Sequence, residues 1–172
     1  MPLYAIGDAE PSIDPDAYVH PDAVLIGAVV LGAGSSVWAN TVIRADEGPI
    51  VIGARTSVQD GSVVHTTRPH PTTIGDDVVI GHMVHLEGCT IEDLTLIGSG
   101  SVVLHQAIVR TGSIVGANAV VTNGMEVPTG FMALGVPAKL RDGGVDKDFI
   151  RLNADDYVQR GKRYRDGLRR LD

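Results

Sequence analysis

An aliphatic residue recurs at every sixth position through most of this chain. A small or β-branched side chain, such as Ala23, Ser62 or Thr90, stands four residues after most of these positions. An α-helix would repeat its apolar residues about every 3.6 positions, and the 21 glycines would destabilise it. The pattern therefore predicts an all-β body of short strands and tight corners, in which each hexapeptide turns one large and one small residue inward. The repeated aliphatic residues are Ile13, Val19, Leu25, Leu31, Val37, Ile43, Ile52, Val58, Val64, Ile74, Ile80, Leu86, Ile91, Ile97, Val103, Val109, Val115, Val121 and Val127.

This period resembles that of the hexapeptide-repeat proteins, whose chains coil left-handedly with three hexapeptides per turn and usually trimerise. The resemblance implies a left-handed parallel β-helix over residues 13–132, with a little over six turns. We expect the chain, 1–172, to form a single domain.

The repeat ends after Val127, where a proline follows. Residues 133–145 are expected to form an extended exit segment, and residues 146–171 a C-terminal α-helix. This helix is predicted to dock on the coil or on a neighbouring subunit through a stripe formed by Phe149, Tyr157, Tyr164, Leu168 and Leu171.

The six-residue period is broken three times, and all three breaks lie in the middle of the chain. The segment 43–52 is three residues too long, 64–74 is four too long, and 86–91 is one too short. A solenoid carries its function on insertions and exposed faces. The breaks therefore indicate where a functional site lies.

Composition narrows the classes of function. The chain has one cysteine, Cys89, no signal-like N-terminus and no run of 18 apolar residues, which predicts a cytoplasmic protein without a membrane partner. Residues 1–144 hold 6 Lys and Arg against 15 Asp and Glu, whereas residues 145–172 hold 8 against 6. An acidic body argues against binding to nucleic acid. Cys89 is predicted to be a small corner residue rather than a ligand.

Three repeats per turn place the repeats that begin at 43, 64 and 86 on one face, one turn above another. The residues that come next, Arg44, His65 and Glu87, should then stack and point outward, about 4.8 Å apart. His85 points the same way, because it and Glu87 flank the same inward residue. His65, His85 and Glu87 are therefore predicted to share one patch.

His82 and Asp60 form a second predicted column, on the preceding face of the coil. His65 and His82 of one chain lie on different faces, across a corner of the coil. One metal ion could therefore hardly be bound by both residues of the same chain. A three-fold trimer brings one face of a subunit against another face of its neighbour. A metal site that used both histidines would then be shared between the subunits of a homotrimer.

Four segments resemble the γ-class carbonic anhydrases and their bacterial relatives, in order and at the spacing of that family. The resemblance covers nearly the whole chain. The segments are VIRADEGPI (42–50), VQDGSVVH (58–65), IGH (80–82) and GCTI (88–91).

The resemblance implies that His65 and His82 are two of three zinc ligands, with the second donated by the adjacent subunit. Glu87 stands where the family has its third histidine, and His85 lies two residues earlier. Either His85 is the third ligand, which we favour, and Glu87 acts beside it in catalysis, or Glu87 itself ligates. A set of two histidines and one carboxylate suits iron as well as zinc, and cobalt is a further alternative.

The resemblance also implies that Arg44 and Asp60 form an ion pair between subunits. Gln59 matches the residue that orients the water at the metal, and Glu47 matches a proton-transfer acid. Arg68 departs from the family, because the archaeal type enzyme has an acidic residue in that loop. His70, in the same loop, is a lesser candidate for proton transfer.

The function implied is the reversible hydration of carbon dioxide to bicarbonate. Two alternatives stay open. One is a hexapeptide acyltransferase that uses acyl-CoA and a histidine base at the subunit interface. The other is a metal-stabilised trimer without catalytic activity.

Overall fold

A computed structural model describes residues 1–172. In it, each strand of the body pairs in parallel with the strand one turn earlier. The left-handed β-helix with a C-terminal helix is confirmed. The twenty strands are β1 (Leu3–Tyr4), β2 (Ser12–Ile13), β3 (Tyr18–Val19), β4 (Val24–Leu31), β5 (Ser36–Val37), β6 (Val42–Ile52), β7 (Ser57–Val58), β8 (Val63–His65), β9 (Thr72–Ile74), β10 (Val79–Ile80), β11 (His85–Glu87), β12 (Thr90–Ile91), β13 (Leu96–Ile97), β14 (Val102–Val103), β15 (Ile108–Val109), β16 (Ile114–Val115), β17 (Val120–Val121), β18 (Glu126–Val127), β19 (Phe131–Leu134) and β20 (Lys139–Asp142).

The strands stack into three faces, which we name A, B and C in chain order. Face A consists of β3, β5, β7, β10, β13, β16 and β19. Face B consists of the first halves of β4 and β6 with β8, β11, β14 and β17, and face C of their second halves with β2, β9, β12, β15 and β18. The long strands β4 and β6 run around the corner between faces B and C.

The repeated aliphatic residues form the core. From Leu25 to Val127 each of them is at most 3% exposed, and only Ile13 and Val19 in the first turn are partly exposed. Burying a valine, leucine or isoleucine stabilises the fold by about 1.5 to 3 kcal/mol. The coil contains few aromatic side chains. It is stabilised instead by one aliphatic residue per hexapeptide, each stacked on its counterpart one turn away.

The shortened turn changes which small residue points inward. Thr90 was expected inside, but this prediction is wrong. Thr90 pairs with Thr73, and its hydroxyl lies on the outer surface, where it accepts a hydrogen bond from the Thr73 hydroxyl at 3.4 Å. Cys89 takes the inward position and is 1% exposed. Burial raises the pKa of the Cys89 thiol to about 12. Cys89 is thus a small corner residue, as predicted, with its side chain in the core.

The C-terminal helix α1 spans Lys147–Gly167 and lies on face A. Asp146 caps its N-terminus by accepting a hydrogen bond from the Phe149 backbone N–H, 3.0 Å away. Of the predicted docking stripe, Phe149, Leu168 and Leu171 are exposed within the chain, so they do not dock on the coil. Their docking on a neighbouring subunit stays a prediction. Tyr157 and Tyr164 of the stripe do dock on the coil, with both rings against Trp38. The buried residues of α1 are Ile150, Ala154 and Gly161, which the stripe did not include.

The segment expected to leave the coil in an extended form is a hairpin. Strands β19 and β20 pair in antiparallel fashion at the end of face A, with Phe131 opposite Asp142. The hairpin covers a strand edge that would otherwise offer unpaired backbone groups to another chain. As for the helix, α1 does not combine the length and the apolar composition that crossing a membrane requires.

Candidate metal and hydration site

The three breaks in the period lie at one corner of the coil. Faces B and C meet at residues 44–49, 65–71 and 88–89 in three successive turns, and we call these residues the interrupted corner. The other two corners keep the six-residue spacing. The extra residues of the long turns therefore project from a single place beside face B.

The outward column on face B has the predicted register. Arg44 pairs with His65 across β6 and β8, and His65 pairs with Glu87 across β8 and β11. The inward partners of these residues are fully buried, so the alternation of a strand turns the three side chains outward.

Both nitrogens of the His65 ring are in contact with a carboxylate. Nε2 lies 3.1 Å from Asp46 Oδ1, and Nδ1 lies 3.0 Å from Glu87 Oε1. Arg44 forms an ion pair with the other oxygen of Asp46. His65 is only 12% exposed, so its ring is held in one orientation by charged neighbours.

Glu87 is the centre of a histidine cluster. Its Oε2 lies 3.1 Å from His85 Nε2, and its Oε1 lies 3.6 Å from His105 Nε2. The ring of His70 is 6.1 Å from that of His105. The repeat pattern predicts no functional role for His105, because Val103 pairs with Leu86 and counting one turn on from Glu87 therefore reaches Leu104. His105 lies one residue further on, at the corner that follows.

The two carboxylates of this cluster are acceptors at neutral pH. Burial acts to raise the pKa of Asp46, but hydrogen bonds from Arg44 and His65 outweigh burial and hold the pKa below its usual value. Burial acts in the same way on Glu87, and hydrogen bonds from His85 and His65 again outweigh it, so this pKa is also lowered. Ionised carboxylates bind imidazole N–H groups strongly.

His82 lies apart from this cluster, at the corner between faces A and B. Its Nδ1 is 2.9 Å from Asp60 Oδ2, and both side chains are 49% exposed. The other ring nitrogen, Nε2, is therefore available to a ligand. No group of three or more His, Cys, Asp or Glu residues within the chain is arranged to hold a metal ion.

The remaining candidates are distributed around these two places. Glu47 forms an ion pair of 2.8 Å with Arg68 at the interrupted corner, where both are well exposed. Gln59 directly follows strand β7 of face A, next to Asp60 in the chain, and is 4% exposed. The ion pair between Arg44 and the Asp60 of a neighbouring subunit stays a prediction, since within the chain Arg44 contacts Asp46 and Asp60 contacts His82.

Known proteins share this arrangement of sequence and fold. The family model described as "Bacterial transferase hexapeptide (six repeats)" matches residues 71–105. Gamma carbonic anhydrase 1, mitochondrial, of Arabidopsis thaliana is 38% identical over 163 residues, which cover 90% of this chain and 59% of that protein. The chain thus spans about three fifths of the length of this relative.

Two further relatives match over most of their length. The carnitine operon protein CaiE of Proteus sp. (strain LE138) is 36% identical over 170 residues, which cover 98% of this chain and 86% of that protein. The crystal structure of a hexapeptide transferase family protein from Anaplasma phagocytophilum has a TM-score of 0.91 and 33% identity, covering 95% of this chain and 98% of that chain. One relative is mitochondrial, and the cytoplasmic location of this chain stays a prediction.

Proposed function

The chain belongs to the hexapeptide-repeat family that includes the γ-class carbonic anhydrases and CaiE, and from this premise we propose that it catalyses the reversible hydration of carbon dioxide to bicarbonate. The site is shared between the subunits of a homotrimer. The observation that carries the proposal is the pair of histidines oriented by carboxylates, His65 on face B and His82 at the corner before it.

The donor chemistry suits zinc. Imidazole nitrogens are zinc ligands, and a ligating histidine usually donates its other ring N–H to a carboxylate. Asp60 holds His82 in this way through Nδ1. His65 contacts carboxylates through both nitrogens, so it releases one of them when it ligates. A bound zinc ion with three protein ligands supplies a Lewis acid that makes water nucleophilic near neutral pH.

For the third ligand we favour His85 over Glu87. Glu87 already accepts hydrogen bonds from His65 and His85 and lies beside His105, which is the position of a carboxylate that orients ligands. His85 is 37% exposed and its Nδ1 is unengaged by Glu87, so this nitrogen can reach a ligand from the surface of face B. In this arrangement Asp46 and Glu87 fix the rings, and Arg44 anchors Asp46.

Residues of the interrupted corner are assigned the transfer of protons to solvent. Glu47 lies at the rim, where Arg68 holds its carboxylate at 2.8 Å and solvent reaches both groups. To accept a proton, Glu47 leaves Arg68. His70 stands in the same loop, next to His105, and its imidazole offers a second group that can accept and release a proton. Gln59, buried beside Asp60, is suited to orienting the reacting water by its amide.

Metal content of purified variants tests the ligand set. After extensive dialysis, His65→Ala and His82→Ala should lose the metal that the wild type retains. If His85 is the third ligand, His85→Ala loses metal as severely, whereas Glu87→Gln keeps most of it, because loss of an orienting partner costs about 10- to 100-fold in affinity. The reverse order identifies Glu87 as the ligand. Full occupancy in both the His65 and the His82 variants would refute the site.

A carbon dioxide hydration assay on the same metal-loaded protein tests the reaction. Light scattering should give a trimer of roughly 54 kDa, three times the 18.1 kDa chain. The second candidate function is acyl transfer from acyl-CoA, which the match to a transferase family model favours. Acyl-CoA consumption without hydration would select it, and a metal-bound trimer inactive in both assays would select a structural role for the metal.

A further inference from the structure

One threonine hydroxyl is buried beside the histidine cluster, at the interrupted corner. Thr72 begins β9, and its side chain is fully buried. The equivalent positions in the two turns before it and the two turns after it are Val29, Ile50, Cys89 and Ala107. All four of these residues are buried and apolar. Thr72 is therefore the one polar side chain in this stretch of the column, and core packing alone does not account for it.

The Thr72 hydroxyl uses both its donor and its acceptor function on the backbone of neighbouring strands. Its O–H donates to the carbonyl of His65 at 2.5 Å, and its oxygen accepts from the N–H of Gly88 at 2.9 Å. His65 ends β8, and Gly88 directly follows Glu87, which ends β11. One buried side chain therefore joins the ends of the two strands that carry His65 and Glu87.

This hydroxyl compensates for a backbone hydrogen bond that is stretched at the long turn. In the two turns that follow, an N–H at this corner donates directly to a carbonyl one turn earlier, from Gln106 to Gly88 at 2.7 Å and from Gly124 to His105 at 2.9 Å. The equivalent bond from Gly88 to His65 measures 3.4 Å, whereas ordinary N–H···O bonds measure about 2.7 to 3.2 Å. The four-residue insertion begins directly after this carbonyl. The threonine hydroxyl thus spans a gap where the repeat is interrupted.

We propose that Thr72 is a positioning residue for the histidine cluster. Its hydroxyl sets the separation of the His65 and Glu87 backbones, and so keeps the His65 ring against the Glu87 carboxylate, where Nδ1 lies 3.0 Å from Oε1. The role of this contact at a metal rests on the proposed function, because an orienting carboxylate strengthens a histidine ligand. The contact itself belongs to the chain alone, and it can be measured without a metal.

Two substitutions of Thr72 separate the hydroxyl from the shape of the side chain. Thr72→Val removes the hydroxyl and keeps the volume, and it should fold because valine already occupies the same column at position 29. It leaves the His65 carbonyl and the Gly88 N–H without their shortest hydrogen bonds. Thr72→Ser keeps the hydroxyl and should retain both bonds.

A matched control lies at the corner between faces C and A. The Thr56 side chain is also fully buried, and its hydroxyl donates to the Gly75 carbonyl at 2.7 Å and accepts from the Val78 N–H at 3.1 Å. Thr56→Val therefore loses the same two kinds of hydrogen bond. No residue of the histidine cluster lies at that corner, so a general loss of stability appears in both valine variants and a positioning effect in only one.

The NMR signals of the His65 ring nitrogens, recorded on the full-length protein after removal of metal with a chelator, report the ring contacts directly. We expect these signals to shift in Thr72→Val and to keep their wild-type positions in Thr72→Ser and Thr56→Val. Unchanged signals in Thr72→Val, or an equal shift in Thr56→Val, would overturn the proposal.

Zinc affinity, measured by competition with a chelator, tests the consequence for the proposed site. Thr72→Val should bind zinc roughly tenfold more weakly than the wild type, since loss of an orienting partner costs about 10- to 100-fold. Thr72→Ser and Thr56→Val should bind it as the wild type does. An unchanged affinity in Thr72→Val would overturn the positioning role. If the wild type itself binds no zinc, the proposed function fails, and the ring signals alone decide whether Thr72 positions His65.

Discussion

The corner between faces A and B and the interrupted corner between faces B and C are built from the same repeat but differ in regularity. The first keeps the six-residue spacing in every turn and presents His82 and Asp60 at equivalent positions one turn apart. The second is three residues longer than the repeat, then four longer, then one shorter. It is lined by Asp46, Glu47 and the loop 65–71.

The comparison shows that the regular repeat and its breaks position side chains in different ways. A regular corner can offer only single outward positions at a fixed rise of about 4.8 Å per turn. A lengthened corner lets a side chain such as Asp46 reach along the column and contact His65 in the next turn. The proposed metal site needs both kinds, since one supplies His82 and the other supplies the residues that hold His65.

The largest effect should come from the regular core. Ile97→Ala removes a fully buried side chain of face A, and we expect a loss of about 2 to 5 kcal/mol in the free energy of unfolding, measured with urea. Val51→Ala, in the outward column next to the interrupted corner, is 40% exposed and should cost under about 1 kcal/mol. Equal losses would mean that the aliphatic ladder does not dominate stability.

A glycine pair tests how tightly the interrupted corner is packed. Gly88 and Gly124 both have a positive φ, at +60° and +68°, so alanine is strained at either by about 1 to 2 kcal/mol. A Cβ on Gly88 would also lie 2.9 Å from atoms of both His70 and His105, whereas a Cβ on Gly124 would meet nothing within 4 Å.

Gly88→Ala should therefore be less stable than Gly124→Ala by roughly 1 kcal/mol or more in the same urea titration, because a crowded side chain must move. It should also shift the NMR signals of the His105 ring more than Gly124→Ala does, because Gly88 approaches that ring whereas Gly124 contacts only the His105 backbone carbonyl. Identical stabilities would show that this corner is loosely packed, unlike the coil.

The smallest effect should come from the exposed ion pair at the interrupted corner. Arg68 is 79% exposed and contacts Glu47, so Arg68→Ala should change the free energy of unfolding by less than about 0.5 kcal/mol. Glu47→Gln should be equally neutral for stability but should lower kcat for hydration more than kcat/KM, with recovery in concentrated imidazole buffer, if Glu47 carries the proton. A large loss of stability in either variant would contradict a peripheral role.

Much of the fold could be predicted because the repeat is encoded residue by residue. The register of Arg44, His65 and Glu87 follows from counting hexapeptides, and the same counting pairs Asp60 with His82. Counting fails where the period breaks. Thr90 was expected inside, but the turn that loses one residue places Cys89 there instead.

The contacts of the site and of the helix were harder to predict. The link between Glu87 and His105 depends on how a corner is folded, since Gly88 leaves room for the His105 ring. The stripe of α1 identified the two tyrosines that pack on Trp38, but it missed the buried Ala154 and Gly161, because small residues carry little hydrophobic signal. Close approach of a helix to a sheet, rather than side-chain size, decides which residues are buried.

The central claim is that one site takes His65 from one subunit and His82 from its neighbour, and complementation tests it most directly. His65→Ala and His82→Ala subunits are unfolded together in equal amounts, refolded and analysed for zinc after dialysis. Each variant alone should retain almost none. Random mixing puts both variants in about three quarters of the trimers, and each mixed trimer regains one of its three sites, so zinc should return to about one quarter of the wild-type content. No recovery in trimers shown to be mixed would contradict a shared site.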